Sequence, residues 1–236
     1  MPKKGRRVHV VYQDTHHESQ ELLTQRKNEA RELASLLKLT EDYLHFLQAD
    51  LSEGSTEPQE DKLLKILKAV TPEAIFLPSP LNPQEAHQES SRILLETVKK
   101  DLVLLARLLK ETTIYFYDVH SPMTQLYSNL TLDTEEEQKD YQRLLRRFPS
   151  QEHLKDYAFW MQRYDGMLYD LASAEVYLKV NFRTFVDLTR EHGADFQKKS
   201  EKLVAFTHGK DVIASYGSSI LWKNMLLRYH DGNLPK

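Results

Sequence analysis

The chain has 236 residues, of which 40% are apolar and 28% charged, and its formal net charge at pH 7 is −3. This length predicts one large domain, or a domain with an appendage, and the apolar share is sufficient for a substantial core. The near-neutral charge argues against nucleic-acid binding, which normally requires a basic excess. The chain has no cysteine, so any zinc ion would be bound by His, Asp or Glu.

Neither a signal peptide nor a membrane span is predicted. The basic residues before position 8 are followed by only a short apolar run, 8–12. The longest later candidate, 102–109, is interrupted by Arg107 and is too short to cross a bilayer. We therefore expect a cytoplasmic protein that binds neither a membrane nor a nucleic acid.

Strands and helices are predicted to alternate in the first 120 residues. Runs of β-branched and aromatic residues predict strands at 8–12, 43–47, 74–77 and 113–119. Apolar residues at helical spacing predict helices at 19–38, 61–70 and 84–110. This order predicts an α/β fold with a Rossmann-like, mainly parallel sheet of at least four strands, flanked by helices.

After Pro122 the pattern becomes helical. Helices are predicted at 135–148, 151–173 and 184–207. The pattern of 211–236 is ambiguous, and this segment could dock on the rest of the domain or on a partner. We therefore divide the chain into an α/β domain, 1–190, and a helical C-terminal extension, 191–236.

Polar loops follow the predicted strands. Ligands bind outside the carboxyl ends of the strands in open parallel sheets. The loops there contain His and carboxylate side chains of the kind that ligate metals, namely Asp14, His16, His17, Glu18, Asp50, Glu53, Glu85 and His87. The alternative is that these loops are simply polar and solvated, because such spacing alone is a weak signal.

Several segments between Gly5 and Tyr177 have a recognisable order and spacing. They are Arg26-Lys27-Asn28-Glu29-Ala30, Phe46-Leu47-Gln48-Ala49-Asp50, the strand and loop at 72–80 that lead into Glu85-Ala86-His87, Phe148-Pro149-Ser150-Gln151, and Arg163-Tyr164 followed by Ala174-Glu175-Val176-Tyr177. Together they resemble the PIG-L/LmbE family of zinc-dependent N-deacetylases.

The resemblance implies a function and a site. It implies a hydrolase of N-acetylated amino-sugar conjugates, in which Zn²⁺ polarises the acetyl carbonyl and activates a water molecule. Arg26 and Asp50 match positions that contact the sugar, and a surface arginine and a turn-forming aspartate are their alternative interpretations. His87 matches a zinc ligand. Glu175, Arg163 and Tyr164 are interpreted as structural residues.

The sequence also departs from the family. A family member begins with a strand that ends in His-Pro-Asp-Asp-Glu, which supplies two metal ligands and the general base, and nothing before Gly5 corresponds to it. In the His-Pro-Asp-His motif only the last position remains, as His87. A single imidazole does not hold zinc usefully, since a catalytic site normally has three protein ligands. We therefore expect the chain as given to be truncated or inactive.

Three interpretations remain open at the level of sequence. The first is a piece of a deacetylase-type enzyme, and the second is a non-catalytic relative that binds a sugar or another protein. The third is a helical interaction module that uses 211–236. Because the missing strand would be central in the sheet, two inner edges would be left unpaired, and a homo-oligomer is a possible outcome.

Overall fold

The structure is a computed structural model that describes residues 7–13, 19–47, 58–79, 85–117, 128–150, 155–187 and 189. Its first half alternates strands and helices, which confirms the four predicted strands. The elements are β1 (Val10–Tyr12), α1 (Gln20–Leu36), β2 (Leu44–Phe46), α2 (Gln59–Val70), β3 (Ala74–Pro78), α3 (Glu85–Lys99), α4 (Leu102–Glu111) and β4 (Thr113–Tyr117).

Local side-chain chemistry sets the ends of the first two long helices. Ser19 caps α1 by accepting a hydrogen bond from the backbone N–H of Leu22 at 3.3 Å, which satisfies one of the donors that a helix start leaves free. Pro58 precedes α2, where the absence of its N–H costs nothing. Thr71 ends α2 in the left-handed region, with φ of 47°.

The single long helix predicted at 84–110 is wrong, because the structure has two helices there. The carboxylate of Asp101 accepts hydrogen bonds from the N–H groups of Val103 at 3.0 Å and Leu104 at 2.9 Å. This cap starts a new helix, α4, whose apolar face is rotated relative to the continuation of α3. Leu104 and Leu108 are buried, whereas Leu102, at the start of the new helix, is 75% exposed.

The second half is not wholly helical, which corrects the prediction for the region after Pro122. One strand precedes the first predicted helix and another lies between the second and third, and the chain returns to helix at 182–187. In the second strand every other residue is buried, as expected of a strand with one face in the core. The elements are β5 (Leu130–Asp133), α5 (Gln138–Leu145), α6 (Lys155–Leu168) and β6 (Ala174–Asn181). The proposed extension at 191–236 lies outside the described residues.

The prediction of a Rossmann-like, mainly parallel sheet is confirmed only in part, since the fold is α/β but the larger sheet is mixed. Strands β1 and β2 form a parallel pair. A second sheet has the order β3-β4-β6-β5, in which β3 and β4 are parallel while β6 is antiparallel to both of its neighbours. The reason is the short turn between α6 and β6, 169–173, which returns the chain to the sheet beyond the carboxyl end of β4.

The core lies on one face of the four-stranded sheet. Ile114 and Phe116 of β4 are fully buried there beside Val176 and Leu178 of β6. Residues of α2, α3 and α4 cover this face, together with two aromatic residues of the segment 182–187. These covering residues are Leu63, Leu67, Ile93, Leu94, Val98, Leu104, Leu108, Phe182 and Phe185. None of the described helices is long and apolar enough to cross a membrane.

The described strands form two separate sheets, and β1 and β3 each lie at an edge of one of them. Each of these strands is paired on one side only within the described residues, β1 with β2 and β3 with β4. Apolar side chains remain accessible on both, with Val11 38% and Phe76 54% exposed.

Helix α1 is attached to the turn that follows α5. The Glu29 side chain is only 6% exposed, and its carboxylate accepts hydrogen bonds from Ser150 N–H at 3.1 Å and from the Ser150 hydroxyl. Gln25 donates a further hydrogen bond to Glu29 at 2.8 Å, and Arg147 pairs with Glu32 at 2.8 Å. These contacts hold α1 in place.

We expect the purified chain to self-associate, because unpaired apolar strand edges recruit other strands. The Phe76→Lys substitution places a charge on the edge of β3 at an exposed position, and it should shift the population towards monomer. Sedimentation velocity over a range of protein concentrations measures this shift.

Leu102→Lys is the control for the edge experiment, since it adds the same charge at an exposed position of α4. It should leave association unchanged. A monodisperse wild-type monomer that melts cooperatively above roughly 65 °C would contradict the expectation.

We also expect Ser150→Ala to lower the free energy of unfolding by about 1–3 kcal/mol, because it removes a hydrogen bond to a buried carboxylate. Urea denaturation monitored by circular dichroism measures the change. Ser35→Ala, at an exposed position of α1, should change stability by less than about 0.5 kcal/mol. Equal effects of the two substitutions would show that the Glu29–Ser150 contact contributes little.

Candidate functional site

Tyrosine side chains collect at the carboxyl ends of the parallel strands. Tyr12 ends β1, Tyr117 ends β4, and Tyr177 of β6 is the register partner of Tyr117. Burial raises the pKa of Tyr117, and the charge of Tyr12 raises it further. Burial also raises the pKa of Tyr12. Both hydroxyls therefore remain protonated near neutral pH and can donate and accept hydrogen bonds.

A carboxylate, Glu175, lies beside these tyrosines. The Tyr177 hydroxyl donates a hydrogen bond to Glu175 Oε2 at 2.6 Å, and Gln162 Nε2 of α6 donates to Glu175 Oε1 at 3.1 Å. Burial, followed by the charge of Glu175, raises the pKa of Tyr177. Through the hydrogen bond from Gln162, Glu175 packs against α6.

A second carboxyl group, Asp165, belongs to the same cluster. Asp165 and Gln162 are each 5% exposed. Burial and then the charge of Glu175 raise the pKa of Asp165 to about 7. The sequence analysis did not single out either residue. The available signal was that both share a helical stripe with buried Met161, and a polar residue on a buried stripe is informative.

The predicted sugar-contacting residues are placed only in part. Arg26 lies on the second turn of α1 and is partly buried. On the same helix, Lys27 Nζ and Arg31 Cζ lie over the ring of Phe46, 5.8 and 5.6 Å from the ring centre. These contacts pack this part of α1 against the end of β2. Asp50 lies outside the described residues.

The predicted zinc ligand, His87, lies on the first turn of α3, directly after β3, and is partly buried. In the part of the chain that the structure describes, no group of three or more His, Cys, Asp or Glu side chains could hold a metal ion. Most of the other candidate ligands fall outside that part, namely Asp14, His16, His17, Glu18, Asp50 and Glu53. The described residues therefore do not fit a zinc centre, and no reaction step is assigned to zinc from them.

A groove of about 570 Å³ lies between α1 and the turn after α5. Its lining residues are Thr24, Gln25, Asn28, Glu29, Glu32, Arg146, Arg147 and Pro149. Because Arg147 pairs with Glu32 across it, we assign the groove to helix packing rather than to the functional site.

Comparison with solved structures finds the same fold in proteins with different activities. N,N'-diacetylchitobiose deacetylase from Pyrococcus horikoshii, in complex with its inhibitor MPG, has a TM-score of 0.54 and 19% identity over 73% of each chain. A conserved protein from Thermus thermophilus has a TM-score of 0.50 and 19% identity over 68% of this chain and 74% of its own. The 4-carboxy-2-hydroxymuconate hydratase of Pseudomonas putida KT2440 has a TM-score of 0.54 and 17% identity over 74% of this chain and 84% of its own. No protein-family model and no curated protein matches the chain.

At these identities the similarity concerns the fold. One neighbour is a deacetylase and another is a hydratase, so the fold does not decide the reaction, which depends on the residues of the site. The resemblance to the PIG-L/LmbE family that the sequence motifs indicate is confirmed at the level of the fold, which this chain shares with N,N'-diacetylchitobiose deacetylase.

Proposed function

We propose that this chain has the substrate-binding surface of an N-deacetylase-type hydrolase that acts on N-acetylated amino-sugar conjugates. The observation that carries the proposal is the fold shared with N,N'-diacetylchitobiose deacetylase. In this fold the motif residues Arg26 and His87 stand on the helices that follow β1 and β3. Helices after parallel strands begin at the edge of the sheet where ligands bind.

The chemistry of the carboxyl edge suits a sugar. The protonated hydroxyls of Tyr12 and Tyr117 can donate to and accept from sugar hydroxyl groups. The guanidinium of Arg26 offers several donors in a fixed plane, which favours oxygen-rich ligands. These groups bind and orient a substrate without needing a metal.

Hydrolysis of the amide needs more than this surface. Zinc, when bound, would polarise the acetyl carbonyl and lower the pKa of a water molecule, and a carboxylate would take the proton of that water. Among the described residues His87 alone matches this machinery. We therefore propose a hydrolase-type protein in which the described residues supply only part of a metal centre.

We expect the chain to bind N,N'-diacetylchitobiose, and we expect Arg26→Ala to weaken binding about 10-fold or more, since a hydrogen bond to a charged group contributes about 1.5–3 kcal/mol. Ligand-observed NMR titration measures the dissociation constant. Arg107→Ala, at an exposed position of α4, should leave it unchanged. Equal affinities of wild type and Arg26→Ala would exclude Arg26 from the binding surface.

We expect the chain as given to release no amine from N,N'-diacetylchitobiose, with or without added zinc. Loss of a general base alone lowers a rate by about 10²- to 10⁴-fold, and an incomplete metal site lowers it further. A fluorescamine assay of free amine tests this. Zinc-dependent amine release that His87→Ala abolishes would overturn the prediction and would show that a complete metal centre forms.

A further inference from the structure

The cluster formed by Asp165, Gln162, Glu175 and Tyr177 contains more hydrogen-bond acceptors than donors. Both oxygens of Glu175 accept a hydrogen bond, from Gln162 and Tyr177. Asp165 Oδ1 and Gln162 Oε1, in contrast, are buried and have no hydrogen-bond partner among the described residues. A buried acceptor without a donor is destabilising, so within the described residues this cluster lacks one donor.

A proton on Asp165 would supply that donor. A protonated carboxyl group has one O–H, whereas the carboxylate only accepts. Gln162 lies three residues before Asp165 on α6, and residues at this spacing are neighbours on a helix surface. The O–H of Asp165 can therefore be donated to the Gln162 side-chain oxygen.

Electrostatics favour the same protonation state. Two carboxylates in one buried site repel each other, and one of them keeps its proton to a higher pH. Glu175 already has two donors, so Asp165 is the group that stays neutral. The ionisable side chains around the pair come from three elements, with Tyr177 on β6, Tyr141 on α5 and Tyr117 on β4.

Tight packing transmits a change in this cluster to the sheet. A Cβ atom at Gly166 would lie 2.7 Å from the carbonyl oxygen of Leu171 and 2.9 Å from Cα of Ser173. Helix α6 therefore lies directly against the turn that leads into β6. We therefore expect repulsion between Asp165 and Glu175 to act on both α6 and β6.

We propose that Asp165 is a proton-carrying positioning residue: its protonated side chain lets Glu175 remain the anion that holds the Tyr177 hydroxyl at the carboxyl edge, and loss of the proton releases α6 and Tyr177. The proposal does not depend on the nature of the substrate. It assigns to this edge of the sheet a sensitivity to pH near neutrality.

The first test is the pH dependence of the melting temperature. The pKa of Asp165 in the folded chain, about 7, lies above the ordinary value, so its contribution to stability is full at low pH and is lost as the pH rises through 7. The wild type should melt at a lower temperature at pH 8 than at pH 5. Asp165→Asn, which is uncharged at every pH, should melt higher than the wild type at pH 8 and lose most of this slope.

Asp140→Asn is the control, because Asp140 is an exposed aspartate on α5. It should retain the wild-type slope. The proposal is overturned if Asp165→Asn also retains the slope, or if Glu175→Gln removes it while Asp165→Asn does not, since the proton would then reside on Glu175.

The second test observes the two groups directly by ¹³C NMR. The carboxyl carbon of Asp165 should titrate with a midpoint within about one unit of 7, and the ring signals of Tyr177 should shift with the same midpoint. In Asp165→Asn the Tyr177 signals should stay constant through this range. A midpoint below about 5 for Asp165, or Tyr177 signals that do not follow it, would overturn the positioning role even if the protein stays folded.

Discussion

The pairing of β6 alongside β4 determines where the polar side chains of this protein meet. Because β6 enters the sheet from beyond the carboxyl end of β4, Tyr177 lies opposite Tyr117 and Glu175 lies past the strand end. The alternation of β6 places Val176 and Leu178 in the core and turns Glu175 and Tyr177 towards α6. One eight-residue strand thus closes the core on one face and builds the polar cluster on the other.

Much of the first half could be predicted from the sequence, because its strands are short β-branched and aromatic runs separated by amphipathic helices. The break between α3 and α4 was missed, since apolar spacing continues across it and only the hydrogen bonds of Asp101 reveal the new helix start. Strand β6 was missed for a different reason. Its sequence, AEVYLKVN, alternates, but its antiparallel pairing with β4 joins segments that are about 60 residues apart, which no local pattern encodes.

The site divides in the same way. His87 and Arg26 could be named because they belong to motifs, and the structure places both on helices that follow parallel strands. The Asp165–Glu175 cluster joins residues that are ten positions apart but belong to a helix and a strand. Whether a polar residue on a helical stripe is buried depends on what covers that stripe, so sequence alone could not predict the cluster. The shared fold fixes the edge at which chemistry can occur and leaves the reaction to these side chains.

The separation of β1 and β2 from the four-stranded sheet has a consequence for cooperativity. An isolated pair of strands is only marginally stable, so this pair depends on α1 and on the contact between Glu29 and Ser150. A region held by few contacts opens at a lower free energy than the rest of a protein. We therefore expect the segment that carries Arg26 to open at a lower free energy than β3, β4, β5 and β6, with Leu47, at the end of β2, as its attachment to the main core.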